Sequence, residues 1–228
     1  MLARVGNSVQ ASVVFLKIGD FARRSASEQA RMRAQLEAVI AVVSAEIPPE
    51  SRLVLDAGDG AAVVLIEDPA AALRLGRRAL TAGAAGLPLS AGLNHGAVQL
   101  AGRKGAEGMT GDGIAVAANI AEFAASARLL ASRSFRDALA LAKPGAEAAL
   151  VPGGTYTDAG LRAHEVFSPD QRALARRRRR YTLASAVMLV ALFGGGIGWR
   201  VTHERAPLMT TLMVKYPSVA DFVRRVHF

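Results

Sequence analysis

The residue of this chain best placed for chemistry is an aspartate in a turn. Asp59 lies within residues 53–67, LVLDAGDGAAVVLIE, at a Gly58-Asp59 turn between two apolar runs. A carboxylate there suits a metal ligand, but Gly-Asp is also an ordinary turn pair, and turn formation is the preferred role. The other reactive side chains are scattered. His95, His164, His203 and His227 show no metal-ligand spacing, and His95 reads as a structural residue near a strand end. There is no Ser-His-Asp arrangement, P-loop or dinucleotide fingerprint. Gly102-Arg103-Lys104-Gly105 has the composition of a phosphate contact, yet reads as a solvated turn. The absence of cysteine excludes disulfides, thiolate zinc sites and cysteine nucleophiles. No cofactor is implied.

The elements that would position these residues follow from periodicity. Val13–Ile18 is a short apolar run suited to a buried strand. Ser25 and Glu28 form a capping box, after which Met32, Leu36, Val39, Ile40 and Val43 recur at helical spacing. Leu53–Leu55 and Ala61–Ile66 flank the Gly58-Asp59 turn as a hairpin. Asp68 and Pro69 cap and open a helix to about Ala82. Leu87–Leu93 and Ala97–Leu100 read as two strands, and Gly113–Ala125 as an Ala-rich helix. A strand at Arg128–Ala131, a helix at Ser134–Ala142 and a closing hairpin within Tyr156–Phe167 complete the pattern. The β-α-β-β-α-β order predicts an α+β, ferredoxin-like domain with C-terminal additions.

Charge divides the chain. The net charge of +9 suggests nucleic acid, but residues 1–175 hold 18 basic and 17 acidic groups, a net of +1. Arg176, Arg177, Arg178, Arg179 and Arg180 add +5 and abut residues 181–199, which carry no charge. Nineteen residues at about 1.5 Å each match the hydrocarbon core of a bilayer. Tyr181 and Trp199 bracket the run as interfacial aromatics do. The expected organisation is therefore a domain at 1–170, a basic juxtamembrane linker at 171–180, a transmembrane helix at 181–199 and a short extracytoplasmic tail at 200–228. The arginine cluster places the N-terminal domain in the cytoplasm, with one span through the inner membrane. Ala191, Gly194, Gly195 and Gly198 form a small-residue stripe for close helix packing. Nucleic acid is not an expected partner.

Several blocks in order carry a resemblance. They are Phe15, Ile18 and Phe21; Gly58-Asp59; Gly92-Leu93-Asn94-His95-Gly96; Gly111; and Ala117. Over about residues 10–168 the chain resembles the class III adenylate/guanylate cyclase homology domain. Members of that family join the 3′-hydroxyl of a nucleoside triphosphate to its α-phosphate, using two metal ions held by two aspartates. The resemblance puts Lys17 at the first aspartate position and Asp59 at the second. Asp20 and Ala22 replace the usual glycine and threonine of the phosphate-facing turn. Leu55 stands at the base-binding lysine, and Gly108 at that lysine's acidic or hydroxyl partner. Ala115 and Asn119 fall at the ribose-orienting asparagine and the transition-state arginine.

The resemblance thus implies a vestigial site in which Asp59 is the sole residual metal candidate. Family sites form between two protomers, and here neither half is complete. The expected function is a membrane-anchored pseudo-cyclase, without catalytic residues, that signals through dimerisation or protein contacts. The expected partners are a second copy of the chain, membrane lipids, and another membrane or signalling protein. Two alternatives stay open. The vacated pocket, apolar at Leu55 and Ala115, binds a lipid or small metabolite, or relocated ligands support weak cyclase activity.

Overall fold

A computed structural model describes residues 8–66, 68–103, 106–157, 160 and 162–170, together with two helical positions, Ser185 and Met188. The chain divides into two units, Met1–Asp170 and Gln171–Phe228. The first contains, in order, β1 (Ser8–Ile18), α1 (Ala26–Ser44), β2 (Arg52–Ala57), β3 (Gly60–Ile66), α2 (Pro69–Gly83) and β4 (Leu89–Arg103). Then come β5 (Ala106–Thr110), α3 (Asp112–Phe123), β6 (Leu129–Ser132), α4 (Arg133–Ala142), β7 (Leu150–Thr157) and β8 (Ala163–Pro169). The strands form one mixed sheet in the order β2-β3-β1-β4-β6-β8-β7, with β5 added to the far end of β4. Among the described residues only the β4–β6 pairing is parallel. The first six elements give the expected ferredoxin-like order, and the last strands extend it.

Local chemistry explains the helix starts. The Ser25 hydroxyl accepts from the Glu28 amide while the Glu28 carboxylate accepts from the Ser25 amide, which satisfies two otherwise orphaned donors of α1. At α2, Asp68 Oδ1 accepts from the Ala71 amide at 2.7 Å, and Pro69 pre-sets the first turn. Met32, Leu36, Ile40 and Val43 of α1 are buried, as are Ala72, Leu75 and Ala79 of α2 and Phe135 and Leu139 of α4. These pack with Val14, Leu16 and Ile18 of β1 on one face of the sheet. On the other face Ala117 and Ala121 of α3 pack with Ala11, Val13 and Phe15.

Helix α3 lies close to the sheet because of Gly92. A Cβ there would sit 2.1 Å from Ala117 O and 2.5 Å from Ala121 N. Any side chain at this position would push the helix off the strand.

Two expectations need correction. The strands expected at Leu87–Leu93 and Ala97–Leu100 are one continuous strand. Asn94, His95 and Gly96 stay in register with Val13, Ser12 and Ala11 of β1, so the polar triplet and its glycine do not form a turn. The close approach here is made by Gly113 of α3, where a Cβ would stand 2.9 Å from Ala97 O of β4. The sequence pattern does not predict β5 either. Its sequence, AEGMT, lacks an apolar alternation, and it is held by pairing with Gln99–Arg103 of β4. The closing hairpin begins earlier than expected, at Leu150.

Of the expected span at 181–199 only Ser185 and Met188 are described, both helical, while the Arg176–Arg180 cluster and the stripe Ala191, Gly194, Gly195 and Gly198 lie outside the described residues. Among the described residues no helix is long and apolar enough to cross a membrane.

Candidate functional site

The site is built where three elements meet. Alternation along β1 sends Phe15 and Lys17 to the α3 face, opposite Leu16 and Ile18. Register places Lys17 opposite Gly60, the first residue of β3. The turn joining β2 to β3 therefore ends against the end of β1. The Ile18 amide donates to Asp59 O at 2.8 Å, and a Cβ on Gly60 would stand 2.1 Å from Leu16 O. Glycine at position 60 is what lets the turn close this tightly. Arg33 of α1 adds a second restraint, donating from Nη2 to Gly58 O at 2.7 Å while its guanidinium lies 5.2 Å from the centre of the Phe21 ring.

This geometry brings Lys17 and Asp59 into direct contact. Lys17 Nζ lies 2.7 Å from Asp59 Oδ2. The same ammonium donates to Glu122 Oε2 near the end of α3. The Lys17 side chain is 22% exposed, against 40% for Asp59 and 62% for Glu122. Burial alone would lower the pKa of Lys17. The hydrogen bonds and charges of Asp59 and Glu122 outweigh it and hold the ammonium above its ordinary value. Lys17 is thus a fixed cation bridging a strand turn and a helix.

The other predicted positions are arranged around this bridge. Leu55 is half-buried on the same sheet face, packed with Leu53 against the cluster containing Phe15, Ala62 and Val64. Ala115, Asn119 and Glu122 lie four and three residues apart on α3 and share one stripe of it. Ala115 is exposed and Asn119 half-buried. Asp20 takes no part in the bridge. It adopts a left-handed conformation, φ 54°, at the head of a short 3-10 turn containing Ala22, and its carboxylate lies 3.6 Å from Arg23 Nη1. Gly108 lies in β5 opposite Ala101. Of the vestigial positions, Lys17 and Asp59 are in direct contact.

Asp59 does more than form a turn, and sequence reasoning misses Glu122 altogether. Its contact with Lys17 spans 105 residues, a separation no local pattern reveals. The available signal is its place one helical turn beyond Asn119. Among the histidines, Ser12 Oγ and His95 Nδ1 are 3.0 Å apart across β1 and β4, and burial lowers the His95 pKa. His164 lies in β8, its ring 6.5 Å from that of Phe123. His203 and His227 lie outside the described residues.

The donor set does not fit a two-metal centre. A divalent ion needs several oxygen ligands free to face it. Here an ammonium already occupies the space between the Asp59 and Glu122 carboxylates. Its charge would repel a second cation. Among the described residues no group of three or more His, Cys, Asp or Glu side chains is arranged to hold a metal ion.

No protein-family model matches the sequence, and no curated protein does. Solved structures do match. The guanylyl cyclase Cya2 superimposes with a TM-score of 0.56 at 16% identity, over 72% of this chain and 93% of that one. The adenylyl cyclase CyaB from P. aeruginosa gives 0.56 at 14% identity, over 72% and 94%. The guanylate cyclase domain of RhGC from Catenaria anguillulae, in complex with GTP, gives 0.55 at 15%, over 71% and 96%. With the ferredoxin-like strand order and α3 laid across the Lys17 face, these likenesses identify the fold of residues 8–170 as that of the class III adenylyl/guanylyl cyclase homology domain.

Proposed function

We propose that this chain is a catalytically inactive cyclase-like domain, anchored in the inner membrane, that signals through dimerisation or protein contacts. The observation that carries this reading is the Lys17 bridge. An ammonium held 2.7 Å from Asp59 supplies positive charge but no oxygen ligand, and it cannot dissociate. It neutralises the carboxylates that cation-assisted attack by a ribose hydroxyl would need. Leu55 and Ala115 add no donor for a purine edge or a ribose, and Asn119 offers no positive charge to a developing phosphoryl oxyanion.

The anchor rests on the uncharged run 181–199 beside Arg176–Arg180. Dimerisation is suggested by a fungal guanylyl cyclase domain of this fold, with a TM-score of 0.53, that is described as a non-canonical dimer. Two copies held in one membrane plane would also meet at raised effective concentration.

Incubating the purified chain with Mn²⁺ and ATP or GTP tests inactivity. The expected result is no cyclic nucleotide, including with Lys17→Asp, because the base and transition-state positions remain unfilled. Cyclic AMP or GMP synthesis that disappears in Asp59→Ala would overturn the proposal.

A further inference from the structure

β2 is an edge strand. Among the described residues it pairs only with β3, so the outward half of its backbone donors and acceptors has no strand beside it. An unpaired edge is a template for another strand unless something blunts or covers it. Beside this edge runs a groove of about 290 Å³ between β2 and α1. Leu36 and Ile40 of α1 and Ala61 of β3 line it, and all three are buried apolar residues. Val54 of β2 also lines it and is 40% exposed, one of the few large apolar side chains of the domain that face water. A free strand edge beside an apolar trough is the arrangement that binds extended peptides, with main-chain pairing for affinity and alternate side chains for selection.

The rim carries charge that the domain does not use in ion pairs. Arg52 donates to Ser44 O and Arg33 to Gly58 O, both backbone acceptors. Glu37 and Asp56 also line the groove, and neither forms a salt bridge among the described residues. Arg52, Val54 and Asp56 alternate along β2, so a cation, an apolar side chain and an anion face the groove in turn. A strand added antiparallel would be complementary if it presented basic, apolar and acidic residues at alternate positions.

We infer that the β2 edge and the α1 groove form a docking site for an extended segment of a partner protein with this basic–apolar–acidic alternation. The site lies on the sheet face opposite Lys17. It therefore stands independently of whether the domain has lost cyclase chemistry.

The test uses the full-length chain in mild detergent and a fluorescent, end-blocked peptide, Ser-Lys-Thr-Leu-Thr-Glu-Ser. Saturable binding is expected. Ala41→Trp, at an exposed α1 position in the groove, should weaken it at least tenfold with an unchanged melting temperature. The Arg52→Glu/Asp56→Lys double variant should lose the peptide and gain the version with lysine and glutamate exchanged. N-methylating the amides that face β2 should abolish binding, while methylating the alternate set should spare it. No binding by the wild-type chain would overturn the proposal, as would binding indifferent to Ala41→Trp and N-methylation. If Ala41→Trp instead converts a two-chain particle to a one-chain particle, a second copy fills the edge, and the proposal also fails.

Discussion

Lys17 holds its charge between two carboxylates that are themselves partly exposed, so water and salt screen the bridge without removing it. Replacing it by methionine keeps most of the stem and leaves Asp59 and Glu122 facing each other uncompensated. We expect a loss of about 1 kcal/mol, the upper end for exposed ion pairs, shrinking toward zero in 1 M salt. Urea unfolding at low and high salt measures it, and an equal loss at both would rule out an electrostatic bridge. Because the Lys17 pKa is raised, its contribution is complete below the ordinary lysine value of 10.5 and fades only as pH climbs past it. His95 behaves oppositely. Burial lowers its pKa below the ordinary 6.5, so on acidification the unfolded chain takes up a proton first. Stability should fall as pH drops below 6.5, and His95→Gln should flatten that slope in a melting-temperature series down to about pH 5. Lys17 and Asp59 are each visible in the sequence as positions of interest. Their contact is not, because it depends on the register of β1 with β3, and the third member lies on a helix distant in sequence.

Elements are legible where local signals agree and obscure where tertiary pairing decides. The capping box of α1, the Asp68-Pro69 start of α2 and the hairpin around Gly58-Asp59 follow from residues a few positions apart. β4 reads as two strands in the sequence because glycine and polar residues interrupt its apolar pattern. β1 holds that interruption in the ladder, and α3 makes its close approach over Gly92. The two roles of glycine can be separated by experiment. Gly92→Ala places a Cβ within 2.1 Å of α3 backbone, which cannot rotate away. It should cost about 3 kcal/mol, the upper range for overpacking. Gly58→Ala meets nothing within 4 Å and should change stability by less than about 0.5 kcal/mol. Chemical denaturation of both variants checks the pair. Similar costs would mean that α3 does not rely on the close approach at Gly92.

At the scale of the whole molecule, the division at Asp170 separates a domain with its own core from the segment bearing the arginine run. Residues 1–170 produced alone should unfold in one cooperative transition. A broad, non-cooperative melt would show that the domain depends on residues 171–228. The proposed single span predicts that a reporter fused after Phe228 is active only if it works outside the cytoplasm. A cytoplasm-only reporter that is active at that position would contradict the orientation. The architecture also sets a timetable for the nascent chain. β1 lies inside the sheet, and its partner β4 is made much later. Ser12 and His95, paired across those strands, are 83 residues apart. At roughly 10 residues per second the ribosome needs about 8 s to make that interval. Throughout it the apolar core of β1, Val13 to Leu16, has no strand of β4 to bury it. β1 is thus a segment that cellular holding factors should meet while β4 is still unmade, and slowing synthesis between Ile66 and Leu89 should lengthen that exposure.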